Sequence, residues 1–352
     1  MSPIKIGKKL VGPGQPTFLV AEMSGNHNQS LDAALELVHA AAEAGADAIK
    51  LQTYTAETMT IQSKKKWFTL QSGTLWDGKT LFDLYQEAHT PWEWHQQLIE
   101  ESHRLGMECF STPFDSTAVD FLMDLNTPVF KVASFENTDL PLLKKIAATG
   151  RPVILSTGLA TQQEIDEAVT TLKSNGCTEL ILLKCTSSYP APVDEAHLKS
   201  IPFLAENYGV FSGLSDHTMG SIVPTAAVAL GACMVEKHFC LSRSLPGPDS
   251  AFSMEPAEFK KMVDEVRLVE QALGRVNFGP TPAQKKSLVF RRSLFVTKSI
   301  AAGEVFSLEN VRVIRPGDGL APKYYEQVLS QRATTDIEEG TPLSWELVDK
   351  KD

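Results

Sequence analysis

Lys50 and Lys131 each stand inside an apolar run, "DAIKLQ" and "VFKVAS", where an unpaired ammonium is costly. One such lysine reads as a snorkelling or ion-paired residue. Two of them, accompanied by the hydroxyls of Ser111, Thr112, Ser134, Ser156, Thr157, Ser187 and Ser215, point to a bound anion such as a phosphate or carboxylate.

His217 in "GLSDHTMG" and His238 in "VEKHF" form a second group, with Glu22 and Asp216 also near the ends of apolar runs. From spacing alone the pair stays open between satisfied structural histidines and a hydrated divalent-metal site. Mixed imidazole and oxygen donors suit manganese, cobalt, iron or zinc better than calcium. A Ser215/Asp216/His217 acyl-transfer triad is rejected, because neighbouring strand residues point to opposite faces and no G-x-S-x-G elbow is present. Lys184 and Lys237 carry less weight, since alternation turns Lys237 away from the face that His238 takes. The same alternation separates Lys131 from Ser134 and Glu136 unless the strand ends or bulges between them. Asp216 is assigned at most a supporting role for a histidine, and Gly220 lets the next helix start close by.

These residues share a site only if the apolar runs deliver them to one rim. Runs at 17–22, 47–52, 107–111, 129–134, 152–157, 180–186, 209–213 and 233–239 read as strands. Amphipathic stretches at 30–45, 91–106, 116–125, 140–150, 161–175, 194–207, 221–231 and 255–273 read as the helices that follow them. A long polar segment separates the second run from its helix. Val/Ile/Leu-rich strands without strict alternation suit a covered parallel sheet. Eight βα units in about 250 residues predict an α/β protein of the TIM-barrel type, whose active site lies at the C-terminal strand ends. No G-x-G-x-x-G follows the first run, which argues against a doubly wound sheet. The barrel is expected over 1–275, a linker over 276–290, and a small β-rich domain over 291–352.

The chain has 352 residues, 43% hydrophobic and 22% charged, with a formal net charge of −10. This balance argues against nucleic-acid or membrane-surface binding, so an anion site must be built locally against the overall field. "MSPIKIGKK" lacks an apolar signal core and no run reaches membrane-spanning length, which predicts a cytoplasmic protein. Cys109, Cys177, Cys185, Cys233 and Cys240 form no C-x-x-C pair and read as reduced core residues without a zinc or redox role.

The strings "AEMSGNHNQS", "ADAIKLQTY", "CFSTPFD", "FKVASFE", "ILSTGLAT", "KCTSSYPAP", "GLSDHTMG", "VEKHF" and "PGPDSAFSMEP" together resemble the sialic acid synthase family. "RRSLFVTKSIAAGEVFSLENVRVIRPGDGLAP" resembles its C-terminal antifreeze-like (SAF) domain. The resemblance implies condensation of phosphoenolpyruvate with the open-chain aldehyde of an N-acetylated amino sugar. Water is consumed, phosphate leaves by C–O cleavage, and a nine-carbon nonulosonic acid forms. It places Lys50, Thr112, Lys131, Ser134, Ser156, Ser187 and Ser215 on phosphoenolpyruvate, and His217 and His238 on a divalent metal (Mn²⁺, Mg²⁺ or Co²⁺). Glu22, Gln52, Glu136, Tyr189, Asp249 and Arg315 fall around the sugar or the reacting centre, with Glu136 taken as the acid/base. It further implies a domain-swapped homodimer in which Arg315 reaches the partner's site. Ser187 departs from the family, where many members have Asn.

Within the family, "SGTLWDGKTLFDLYQEAHTPWEWHQ" and "KVASFE" most resemble the branch acting on 2,4-diacetamido-2,4,6-trideoxy-L-altrose, with the sialic or legionaminic branch and its manno-configured N-acetylated sugar as the alternative. Two other classes remain in play. A non-catalytic binding or ice-structuring protein leaves the polar rim unexplained, and a metal aldolase predicts no phosphate product.

Overall fold

The computed structural model describes residues 1–71, 73 and 76–349. Ser72, Thr74 and Leu75 of the string beginning at Ser72, and positions 350–352 of the expected second domain, lie outside the described residues. The chain divides into two compact units, Met1–Gly274 and Arg275–Asp352.

In the first unit eight parallel strands close into a barrel. They are β1 (Phe18–Glu22), β2 (Ala48–Thr53), β3 (Glu108–Pro113), β4 (Phe130–Val132), β5 (Val153–Ser156), β6 (Leu180–Cys185), β7 (Phe211–Asp216) and β8 (Met234–His238). Each pairs with the next and β8 returns to β1, where His238 stands beside Glu22. The TIM-type expectation holds.

Alternation along these strands does the sorting. Leu19, Ala21, Ile49, Leu51 and Val235 pack outward against helices, while Phe18, Val20, Ala48, Ile154, Ile181, Leu183 and Met234 share a cluster inside the barrel. Burying each of the Val, Leu, Ile, Phe and Met side chains among them contributes about 1.5–3 kcal/mol. A hairpin of Ile4–Ile6 and Lys9–Val11 adds Ile4, Ile6 and Val11 to this inner cluster. Two residues further along each strand, the inward positions turn polar: Val20 leads to Glu22, Ala48 to Lys50, Ile154 to Ser156 and Met234 to Glu236. The apolar base and the polar mouth are written in one periodicity.

Some boundaries move. β7 runs on through Asp216 rather than ending at 213, and β4 stops at Val132, where Ser134–Glu136 form a 3₁₀ turn. The helix expected from 194 starts at Ser200, because His197 takes a φ of 44°, outside the helical region. The segment expected to be only polar holds two helices, Ala56–Met59 and Leu81–Ala88, capped by the side chains of Thr55 and Thr80.

In the second unit Ser293–Val296 pairs with Val311–Ile314, and Arg332–Ala333 with Val348–Asp349. Leu294, Val296, Ile300, Phe306, Val311 and Leu343 form its core. Part of the expected linker is helical, with turns at Pro282–Lys285 and Lys286–Phe290. Among the described residues no helix is long and apolar enough to cross a membrane.

Candidate active site

The polar mouth encloses a cavity of about 420 Å³, a size suited to small ligands. Glu22, Lys50, Gln52, Lys131, Ser134, Glu136, Ser156, Tyr189, Ser215, His217, His238 and Asp249 all line it. Thr112 lies just beneath, and Arg315 belongs to the second unit. Just past β1, Asn26 and His27 have structural partners: Asn26 bonds the Phe239 carbonyl and Ser253, and His27 bonds Thr90.

Both lysines are buried. Lys50 Nζ lies 2.7 Å from the Glu22 carboxylate and donates to Thr112 at 3.2 Å. Lys131 Nζ donates to Ser156 at 2.7 Å and to the Val132 carbonyl at 3.1 Å. Between them stands Glu236, 3.8 Å from Lys50 and 3.7 Å from Lys131, accepting a 3.0 Å bond from Ser215. Burial works against the Lys50 ammonium, but Glu22 and Glu236 outweigh it and hold its pKa up. At Lys131 burial prevails and the pKa falls, with Glu236 resisting. Glu236 had no site role in the sequence reading. The signal was there, since it sits two residues before His238 and shares its face.

The early end of β4 resolves the parity conflict at Lys131. Past Val132 the chain turns, so Lys131, Ser134 and Glu136 all reach the cavity. Ser134 Oγ accepts from the Gly158 amide at 3.1 Å, and Asn137 donates to the Gly158 carbonyl at 3.2 Å. A Cβ at Gly158 would be driven into the hydroxyl oxygens of Ser134 and Ser187, which places Ser187 at this same corner. Glu136 Oε2 is buried with no hydrogen-bond partner. Burial pushes the Glu136 carboxyl up to about 7 against the pull of Lys131.

His217 and His238 stand side by side with ring centroids 5.3 Å apart. Their strands are locked by a buried ion pair on the outer face, where Lys237 Nζ meets Asp216 at 2.8 Å and the Thr218 carbonyl at 2.5 Å. Asp216 also bonds the Thr218 amide and hydroxyl, so its carboxylate serves the turn and Lys237 rather than bonding a histidine. Gly220 closes that turn at a φ of 78°, a conformation that favours glycine. Cys185 corrects the core reading of the cysteines. Its thiol lines the cavity 3.9 Å from His217 Nδ1. Burial would raise this thiol, but His217 and Ser134 bring it down to about 7.

Among the described residues no group of three or more His, Cys, Asp or Glu side chains is arranged to hold a metal ion. The two imidazoles nevertheless fit a hydrated ion. His217 Nδ1 lies 2.9 Å from the Thr186 carbonyl; as a donor there it fixes the tautomer and leaves Nε2 as a free ligand. His238 Nδ1 is buried with no partner, and burial together with His217 lowers its pKa well below the usual range, keeping the ring neutral. Two protein ligands and remaining oxygen positions suit manganese, magnesium or cobalt more than a closed structural zinc site.

The remaining polar groups gather near β1. Gln52 donates to Glu22 at 2.8 Å and to Ser24 at 3.1 Å, while Ser24 bonds Asp249. Tyr189 lies with its ring 4.4 Å from that of His217.

Residues 37–278 match the NeuB family and residues 291–349 match the SAF domain. The chain is 47% identical over 334 residues to a pseudaminic acid synthase of Helicobacter pylori, covering 94% of this chain and 97% of that protein. It is 37% identical over 349 residues to an N,N'-diacetyllegionaminic acid synthase of Legionella pneumophila, covering 97% and 98% respectively. A solved N-acetylneuraminic acid synthetase of Leptospira borgpetersenii, in complex with citrate, matches with a TM-score of 0.73 at 32% identity, covering 81% of this chain and 95% of that one.

Proposed function

The chain belongs to the NeuB family and ends in a SAF domain, and on that premise we propose that it is a pseudaminic acid synthase. The reaction joins phosphoenolpyruvate, 2,4-diacetamido-2,4,6-trideoxy-L-altrose and water to give pseudaminic acid and inorganic phosphate. The observation that carries this reading, beside the family itself, is a single cavity in which two buried lysines and a histidine pair face the same space.

Phosphoenolpyruvate sits over Lys50 and Lys131, which neutralise its phosphate and carboxylate, while Ser134, Ser156, Ser187 and Ser215 orient it. Thr112 steadies Lys50 from below. The sugar lies with its aldehyde toward His217 and His238, and Gln52, Tyr189 and Asp249 meet its polar groups. Carbon 3 of phosphoenolpyruvate attacks the aldehyde carbon, whose oxygen takes up a proton. Water adds at carbon 2 of the pyruvyl unit, and phosphate departs with the C2–O bond. Glu136 accepts the proton of that water, and Glu22 adds negative charge beside the developing cation. His217 and His238 would hold a divalent ion, which would supply Lewis acidity to the aldehyde. The reading includes a homodimer in which the partner's SAF domain brings Arg315 to the sugar, and work in the cytoplasm, where phosphoenolpyruvate is made.

The test is product identification by mass, with phosphate release, using the altrose-type diacetamido sugar, its manno-type isomer and N-acetylmannosamine. Turnover of a manno-type sugar alone would move the protein to the legionaminic or sialic branch, and phosphate-free aldol product would end the synthase reading. Chelation is expected to remove activity, with Mn²⁺, Mg²⁺ or Co²⁺ restoring it. Activity untouched by exhaustive chelation, with no metal in the washed protein, removes the metal. Gly158→Ala is expected to raise the KM for phosphoenolpyruvate by about 10–100-fold by displacing Ser134 and Ser187, with a smaller effect on the sugar. Initial-rate kinetics on each substrate in turn would reveal the asymmetry.

A further inference from the structure

The cavity is two-sided. Beside its charged floor stands an apolar wall that includes Leu70, Trp76, Leu81, Leu84, Tyr85 and Phe114. All but Phe114 come from the stretch 54–88, which the sequence presents as mainly polar. The chain braces this wall internally: Thr69 and Thr80 form an antiparallel bridge, and the Gly78 amide donates to the Leu70 carbonyl at 3.0 Å. Trp76 Nε1 donates to the Pro248 carbonyl at 2.9 Å, so the polar atom of the indole is satisfied.

A wall that merely backed the core would be fully buried. Leu84 comes near to that at 9% exposed, but Leu70, Trp76, Leu81 and Tyr85 are only half-buried and border the open cavity. An aromatic row connects this surface to the histidines, since the Tyr189 ring is 4.4 Å from His217 and 6.0 Å from Trp76. A sugar whose aldehyde lies at the histidines sends its far carbons along that row to the wall.

We infer that this wall is the element that selects the sugar, by receiving the methyl groups at its far end. These are the C6 methyl of a 6-deoxy sugar and the methyl of an acetamido group at C4. The inference rests on the synthase reading above and adds to it the residues that choose among sugars. A hydroxymethyl group or free hydroxyl at those positions would be buried against Leu70, Trp76 and Leu81 without a hydrogen-bond partner. An apolar surface of this kind rejects a hydroxylated analogue by about 10²-fold rather than absolutely.

The test compares kcat/KM for two open-chain-competent sugars: the 2,4-diacetamido-2,4,6-trideoxy sugar, and a 2-acetamido hexose of the same configuration with hydroxyls at C4 and C6. The unaltered protein should favour the first. In Leu70→Asn/Leu81→Asn the preference should shrink by about tenfold or more, through the KM of the deoxy sugar, with the KM for phosphoenolpyruvate and the melting temperature held. Leu70→Met/Leu81→Met should retain the preference. Leu81→Ala, which only shortens the wall, gives the same reading should the asparagine pair fold poorly. An unchanged preference in the asparagine and alanine variants, or equal loss on both sugars, overturns the inference. If the unaltered protein releases phosphate with neither sugar, it is the proposed function that fails.

Discussion

Glu136→Gln is expected to lower kcat by about 10²–10⁴-fold while leaving the KM for phosphoenolpyruvate near that of the unaltered protein. The substitution keeps the shape of the side chain and removes its capacity to take a proton. Glu136 lines the cavity with one oxygen buried and unpartnered, so little structure depends on that carboxylate. Burial has raised its pKa to about 7, with Lys131 opposing, which places it near neutrality, where a general base is most effective. A base works as the carboxylate, so the kcat of the unaltered protein should fall as pH drops through about 7. The glutamine variant should lack that limb.

Stability moves the other way. A carboxyl whose folded pKa lies above its unfolded value stabilises the fold fully below the unfolded value, and the contribution fades as pH rises through the folded one. Glu136→Gln should therefore melt higher than the unaltered protein at pH 8 and about equally at pH 4. Near-normal kcat with an unchanged pH profile would remove Glu136 as the base.

The barrel was legible because its strands are apolar runs whose inward positions switch to polar residues near the C-terminal end. Val20 before Glu22 and Met234 before Glu236 carry both halves of that message. What alternation could not decide was where a strand stops. Lys131, Ser134 and Glu136 violate strict parity, and only the turn after Val132 reconciles them. Glu236 was passed over because a lone acidic residue at a strand end looks like any other. Its meaning comes from Lys50 and Lys131, which arrive from strands far away in sequence. Cys185 was read as core because it ends "LILLKC", yet the last inward position of a strand faces the mouth rather than the interior. The apolar wall was hidden for a different reason. Lys64, Lys65, Lys66, Asp77 and Lys79 set the tone of that segment, and its scattered Leu70, Trp76 and Leu81 converge only once the chain folds back at the Thr69–Thr80 bridge.

Glu236→Gln is expected to destabilise the substrate-free protein by about 3–5 kcal/mol, measured by urea unfolding, because it strips a buried charge of its partner. The loss should fall mainly on Lys131. Lys50 keeps Glu22 at 2.7 Å, whereas among the described residues Glu236 at 3.7 Å is the carboxylate within ion-pair reach of Lys131. Glutamine can still accept from Ser215, so the hydrogen bond is retained and the charge alone is tested. Adding Lys131→Met should recover part of the stability, with a coupling of about 0.5–3 kcal/mol in the double-mutant cycle. Phosphoenolpyruvate brings its own negative charge to the same two ammonium groups. Saturating ligand should therefore raise the melting temperature of Glu236→Gln more than that of the unaltered protein. If the single variant is within about 0.5 kcal/mol of the unaltered protein and the cycle shows no coupling, the lysines do not depend on Glu236. Under the charge account, Glu236 is what lets two buried cations wait for an anionic substrate: it neutralises them while the cavity is empty, and its oxygens lie far enough from both for a phosphate or carboxylate to make the closer contacts.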